Sequence, residues 1–132
     1  MSRLGNPAEL LLRQVHPAFL QAGRVSSQAF CPSRNHGFKL SVSVRSKTEP
    51  GQAYRLHVDE KGLASAGVWA VSVEECERCD LAVHEDPVET PVPDPAHAYI
   101  DFTNLTNGQR KARSQLLAGY ANERGCLYTE SR

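Results

Sequence analysis

Several features that mark common protein classes are missing from this sequence. It has no surplus of either charge, because fifteen Lys and Arg residues balance fifteen Asp and Glu residues over 132 positions. That balance excludes the chain-wide basic surface of a typical nucleic-acid-binding protein and leaves only local basic patches. No apolar run approaches the roughly 20 residues that cross a membrane. The opening residues 1–14 contain only three consecutive leucines, so they predict no secretory signal. We expect a cytoplasmic protein with no membrane partner.

Glycine-rich phosphate loops and a cysteine framework are also missing. No strand pattern is followed by a glycine fingerprint, so the common nucleotide-binding motifs are excluded. Only four cysteines occur, and a cytoplasmic setting predicts that they are reduced thiols. Cys76 and Cys79 form a C-x-x-C motif without a second matching pair, although Cys31 and Cys126 offer a zinc site as an alternative. We therefore predict neither a metal nor a cofactor.

The composition is that of a folded chain, with 40% hydrophobic and 23% charged residues. Its length suits one globular domain spanning residues 1–132. Residues 10–15 predict a strand closed by Pro17, although Asn6 and Pro7 also resemble a helix start. Alternation or β-branched runs predict three more strands. They lie at residues 38–44, 67–73 and 97–102, with His97, Tyr99 and Asp101 sharing one face of the last.

Three helices are predicted among these strands. They cover residues 52–61, 72–79 and about 107–123, the last capped by Thr106 or Asn107 and ended by Gly125. Its predicted apolar stripe comprises Ala112, Leu116 and Tyr120. Four prolines make residues 86–96 an ordered, proline-rich connector. The pattern predicts an α+β fold with a small antiparallel or mixed sheet and two or three short helices.

Arg13, His16 and His97 are the candidate catalytic residues. Arg13 stands within an apolar strand and needs either an ion partner, such as Asp101 or Glu9, or an anionic ligand. Histidine is the side chain that exchanges protons near neutral pH, which suits general acid–base work. If Arg13 lies in a functional cleft, Arg13→Ala should abolish function and leave the melting temperature nearly unchanged.

The candidate ligand-binding residues are polar side chains near Arg13 in the predicted fold. Basic groups bind phosphate or carboxylate, and hydroxyl groups supply further hydrogen bonds. These candidates are Ser26, Ser27, Lys39, Ser41 and Asp101. An enzyme acting on a nucleotide or RNA would require Arg13, His16, Ser27 and His97 to converge in one pocket.

Several blocks of the sequence resemble a family of small bacterial proteins. They read LRQVHP from Leu12, GRVSSQAF from Gly23, LSV from Leu40 and PAHAYIDF from Pro95. The resemblance to this family implies no activity for this chain. The resemblance implies a bacterial, cytoplasmic setting and a link to defence or mobile-element gene clusters.

A looser resemblance is to compact toxin domains that consume NAD, including ADP-ribosyltransferases. Arg13, His16 and either Ser27 or Ser41 would match the residues on their opening strands. A late glutamate that grips the nicotinamide ribose is matched only if Glu123 or Glu130 serves.

Two functions follow from the sequence. The first is a binding or accessory module with a protein partner in a larger assembly, using the proline-rich connector as a contact surface. The alternative is a toxin-like enzyme that processes a nucleotide, NAD or RNA in a polar cleft around Arg13, His16 and His97.

Overall fold

The computed structural model describes residues 3–130 and has an α+β fold, as predicted. Its main sheet has five antiparallel strands in the order β5-β1-β4-β7-β6, and a small hairpin pairs β2 with β3. The strands are β1 (Leu10–Val15), β2 (Leu20–Gln21), β3 (Arg24–Val25), β4 (Lys39–Val44), β5 (Gly67–Ser72), β6 (Ala82–Glu85) and β7 (His97–Asp101). The helices are α1 (Pro50–Arg55), α2 (Val73–Arg78) and α3 (Asn107–Arg124).

One face of the sheet carries the main core. Alternate residues of β4 and β7 point into it, including Leu40, Val42 and Ile100, each at most 3% exposed. Helix α3 covers this face through Leu117 and Ala121, together with a short 3₁₀ turn at Ser27–Phe30. Burial of these apolar side chains supplies the main driving force for folding.

The second face is only half covered. Helix α1 packs Ala53 and Tyr54 against Leu12 of β1 and Val68 and Ala70 of β5. The neighbouring positions on β4 and β7 carry polar side chains instead, because Leu12 pairs with Ser43 and Ser43 pairs with His97. The sheet therefore leaves an uncovered polar surface beside α1.

Helix α3 begins and ends where the sequence predicts. The Thr106 side chain accepts a hydrogen bond from the Gln109 amide at 3.1 Å, and the Gln109 side-chain oxygen accepts one from the Thr106 amide at 2.9 Å. Gly125 follows the helix with φ of 89°. The predicted apolar stripe is right only at Tyr120, which packs against the core, because Ala112 is exposed and Leu116 is 54% exposed. The buried positions are Ser114, Leu117, Ala118 and Ala121, since α3 packs along a stripe of small side chains.

Other boundaries differ from the sequence prediction. Strand β6 was not predicted, because its four residues are too few for a clear alternation. Helix α1 ends at Arg55 and continues as a π-type turn over Leu56–Glu60. Phe38 precedes β4 with φ of 59°, and its partly buried side chain packs against the main core.

The proline-rich segment 86–96 contains no helix or strand and is held by its own hydrogen bonds. Val88 and Asp94 exchange backbone hydrogen bonds at 2.8 and 3.1 Å. Asp94 is buried, whereas the four prolines are exposed. Among residues 3–130, no helix has the length and apolar character needed to cross a membrane.

Candidate functional site

A cleft of about 490 Å³ opens on the uncovered face of the sheet, between β4, β7 and the π-type turn that follows α1. We call it the Arg13 cleft. A narrow extension of about 60 Å³ runs from it towards Asp94. Its polar and reactive lining consists of Arg13, Lys39, Lys61, His36, His57, His97, Ser33, Ser41, Gln28 and Cys31.

The cleft exists because two neighbouring strands separate. Strand β1 pairs with β5 along its whole length but with β4 only at Leu11 and Leu12. Beyond Leu12 the two strands no longer pair, and hydrogen bonds from the Arg13 side chain span the gap instead. Its Nε donates to the Ala29 carbonyl at 2.8 Å, and its Nη1 donates to the Ser41 carbonyl at 2.9 Å. The guanidinium thus bridges the gap between the strands.

Arg13 has no counter-ion in this arrangement. Within residues 3–130, no carboxylate lies within ion-pair distance of its guanidinium. The interpretation as an ion pair is wrong, because Asp101 accepts hydrogen bonds from Thr103 and Glu9 accepts them from Ser46. Loss of hydration on burial lowers the pKa of Arg13 to about 10. The side chain is still charged at neutral pH, with guanidinium donors to spare.

The remaining charges of the Arg13 cleft are of one sign. Lys39 lies over the Tyr99 ring at 4.9 Å from its centre, and Lys61 pairs with Asp94 at 2.8 Å. Among the described residues that line the main volume there is no aspartate or glutamate, and Asp94 borders only the narrow extension. Burial, with Lys61 and Arg13 nearby, lowers the pKa of His57, so its imidazole is neutral at pH 7.

His97 is held in a defined orientation at the edge of the cleft. Its Nδ1 lies 2.9 Å from the carbonyl oxygen of Asp86 and 3.5 Å from a carboxylate oxygen of the same residue. A carbonyl only accepts hydrogen bonds, so Nδ1 carries the proton. In the neutral ring Nε2 is then an acceptor, and it lies 3.2 Å from the Ser41 hydroxyl oxygen. The Ser41 hydroxyl therefore donates to His97.

The structure brings together some of the candidate residues and separates others. Arg13, His97, Lys39 and Ser41 all line the Arg13 cleft. His16 lies in an adjoining depression, where its Nδ1 accepts a hydrogen bond from the Ala18 amide at 3.0 Å and caps a 3₁₀ turn.

The other three candidates are elsewhere. Ser27 lines a separate groove beside Arg110, and the Ser26 hydroxyl is buried without a partner among the described residues. Asp101 bonds to Thr103 at the end of β7. The expected convergence of Arg13, His16, Ser27 and His97 is therefore wrong, because Ser27 faces the groove beside α3, although Gln28 of the same turn lines the cleft.

Several residues of the site were not among the candidates, including His36, His57, Lys61 and Asp86. His57 lies in the π-type turn, Lys61 directly follows that turn, and Asp86 comes from the proline-rich segment. Their place in the cleft depends on long-range packing, which no local spacing encodes. The one local signal in the sequence was that the segment with four prolines leads directly into His97.

The groups suggested by the looser resemblances are not assembled. Glu123 is exposed at the end of α3, and Glu130 accepts a hydrogen bond from the Tyr128 hydroxyl at 3.0 Å. Neither lines the Arg13 cleft. Cys76 and Cys79 are buried thiols, and burial raises the pKa of both. No group of three His, Cys, Asp or Glu residues within residues 3–130 is placed to hold a metal ion.

Comparison with known proteins identifies no relative of this chain. No family model matches the chain, and no curated protein or solved structure is significantly similar to it.

Proposed function

We propose that this protein binds a small anionic molecule in the Arg13 cleft, one that carries a phosphate group, as a nucleotide does, or a carboxylate group. The single observation that carries the proposal is the Arg13 guanidinium, which is partly buried, charged and without a carboxylate partner among residues 3–130. Burying a charge is costly unless a partner compensates for it. An anionic ligand that reaches the remaining donors of Arg13 supplies that partner.

The surroundings of Arg13 favour the same ligand class. Lys39 and three imidazoles face the cleft, as does Lys61, which is already paired with Asp94. Among residues 3–130, no acidic group lines the main volume of the cleft. A cleft lined by charges of one sign concentrates the opposite ion even on a protein whose net charge is zero. A volume of about 490 Å³ lies in the range of small-molecule sites.

Titration with pyrophosphate and with a nucleoside diphosphate, followed by calorimetry, tests the proposal. Arg13→Lys keeps the charge but removes the forked donor geometry, and Lys39→Gln removes an exposed charge. We expect each variant to weaken binding about tenfold, which corresponds to about 1.4 kcal/mol. Lys111→Gln, which removes an equal charge from the exposed side of α3, serves as the matched control.

The proposal is overturned if wild type binds neither anion, or if Lys111→Gln and Lys39→Gln weaken binding equally. In the latter case the ligand would respond only to overall charge. A binding site in the cleft also requires that added salt weakens binding less than it weakens an exposed ion pair, because the Arg13 contact is partly buried.

A second function, the accessory module, is favoured by the proline-rich segment. Pro87, Pro91, Pro93 and Pro95 are all exposed on one segment that is fixed at Asp94 by Lys61. A fixed, partly apolar surface of this kind suits a protein partner. The bacterial, cytoplasmic setting and the link to defence or mobile-element systems belong to this proposal.

Affinity capture from the source cell, followed by size exclusion, tests the accessory-module proposal. A stoichiometric partner that is lost on replacing Pro91 and Pro93 supports it, and a lone monomer contradicts it.

A further inference from the structure

We infer that Ser41 is a nucleophile and His97 its general base, so that the Arg13 cleft hydrolyses carboxylic esters whose acyl group carries a negative charge. The inference rests on the proposed anion binding for its choice of substrate. The position of the Ser41 hydroxyl, the His97 ring and the Asp86 carbonyl in one line of hydrogen bonds carries the chemistry.

Three groups in sequence are needed to activate a serine. The hydroxyl must lie within hydrogen-bond reach of a base, and a third group must orient that base. Here Ser41 Oγ lies 3.2 Å from His97 Nε2, and His97 Nδ1 lies 2.9 Å from the Asp86 carbonyl oxygen. The Asp86 contact fixes the tautomer in which Nε2 has a lone pair for the serine proton. Ser41 is also exposed to the cleft, as a nucleophile must be.

A second serine–histidine pair in the cleft lacks this arrangement. Ser33 Oγ lies 3.0 Å from His36 Nδ1, but the two residues are neighbours in one 3₁₀ turn. Among the described residues, no hydrogen-bond partner holds the other ring nitrogen of His36. The Ser33–His36 pair is therefore a local contact in which no third group orients the imidazole. The His97 ring differs from it, because Asp86 holds that ring in place.

The reaction takes place in two steps that balance. In the first, Ser41 Oγ bonds to the ester carbonyl carbon while its proton passes to His97 Nε2. The carbon–oxygen bond to the alcohol then breaks, and the alcohol leaves with the proton from Nε2. In the second, a water molecule bonds to the acyl carbon and gives a proton to Nε2. Cleavage of the acyl–serine bond returns that proton to Ser41 and releases the acid.

The charges of the cleft select the substrate. Arg13 is held on the carbonyl of the same residue that provides the hydroxyl, so its positive charge lies beside the reacting group. Lys39 lines the same cleft and adds a second positive charge, whereas the charge of Lys61 is already paired with Asp94. A carboxylate on the acyl chain gains these contacts, and a neutral acyl chain of equal length does not.

The experiment compares two p-nitrophenyl esters, the anionic hydrogen succinate and the neutral butyrate, and adds a fluorophosphonate label. We expect wild type to hydrolyse the succinate at least about tenfold more efficiently in kcat/KM, and to carry the label on Ser41. Ser41→Ala and His97→Gln should each lower the rate about a hundredfold or more. Ser46→Ala is the control, because Ser46 is an exposed serine that bonds to Glu9 outside the cleft.

The outcomes separate this inference from the proposed function. If pyrophosphate binds but no ester is hydrolysed and no label attaches, the nucleophile is wrong and anion binding stands. Hydrolysis that requires Ser41 but shows no preference for the succinate contradicts anion selection and the substrate class. Label on Ser33, or equal labelling of wild type and Ser41→Ala, overturns the assignment of Ser41. A Ser41→Ala variant whose thermal midpoint equals that of wild type shows that its loss of hydrolysis is not a failure to fold.

Discussion

The guanidinium of Arg13 takes the place of a backbone strand pair at Ser41. Its Nη1 donates to the Ser41 carbonyl at 2.9 Å at the point where β1 no longer pairs with β4. One side chain therefore closes the sheet and also presents positive charge to the cleft. Because of this dual role, substitution of Arg13 should have effects that differ from those of substituting an ordinary surface arginine.

Substitution of Arg13 by methionine should reduce both stability and function. Methionine fills the space but leaves the carbonyls of Ala29 and Ser41 without their donor. Loss of a partner for a buried polar group costs about 1–3 kcal/mol. Because the hydrogen bond to Ala29 is part-buried and the one to Ser41 is exposed, we expect a loss of about 1 kcal/mol in the free energy of unfolding. Chemical denaturation measures it. An unchanged midpoint would show that water replaces the guanidinium without loss of stability. That result is the one expected if Arg13 serves only as a functional residue of the cleft.

Acid should destabilise the protein through His57. Its pKa in the folded state is below the ordinary value of 6.5, because burial and the cations Lys61 and Arg13 disfavour its charged form. As the pH falls through 6.5, the unfolded chain takes up a proton at His57 that the folded chain does not, so stability is lost on the acid side.

The measurement is the thermal midpoint of wild type and His57→Gln at pH 7.5 and pH 5.5. We expect the midpoint of wild type to fall more between these values than that of His57→Gln. Equal falls would assign the acid sensitivity to other groups. The other four histidines are present in both proteins and act as the internal control.

The four thiols should divide into two reactive and two unreactive groups. Cys31 and Cys126 are exposed, whereas Cys76 and Cys79 are buried and have raised pKa values. Because the thiolate is the reactive form, iodoacetamide should modify only the first pair in the folded protein. Mass spectrometry of digested protein identifies the sites.

Cys31 also reports on the cleft, which it lines. Pyrophosphate bound there should slow the modification of Cys31 and leave that of Cys126 unchanged. Equal rates with and without bound pyrophosphate would place the anion elsewhere. Modification of Cys76 in the folded state would contradict its burial.

The pair formed by Lys61 and Asp94 should hold the proline-rich segment against the π-type turn. Asp94 is 4% exposed at its side chain, so Lys61→Met leaves a buried carboxylate with no counter-ion. Lys61 itself is 28% exposed, and we therefore expect a cost of about 1–3 kcal/mol in unfolding free energy, below that of a fully buried pair. Hydrogen exchange should rise at the amides of Val88 and Asp94. No change there would show that the segment is held by its backbone contacts alone.

Several local elements of this fold, including β4 and α3, could be predicted from the sequence alone. Strand β4 alternates apolar and polar residues because one face meets the core and the other meets the cleft, and that period is visible along the chain. Thr106, Gln109 and Gly125 likewise mark the ends of α3 through hydrogen bonds between near neighbours. Arg13 was recognisable as unusual, because a charge inside an apolar strand has to be compensated.

Only the tertiary structure decided what compensates Arg13 and what surrounds it. The Ala29 and Ser41 carbonyls come from segments 16 and 28 residues away, and no periodicity predicts where β1 separates from β4. The contact of His97 with Asp86 depends on the path of the proline-rich segment, and that of Ser41 with His97 depends on the pairing of β4 with β7. Local hydrogen bonds and side-chain alternation determine the elements, whereas strand register and packing over long separations determine which side chains meet.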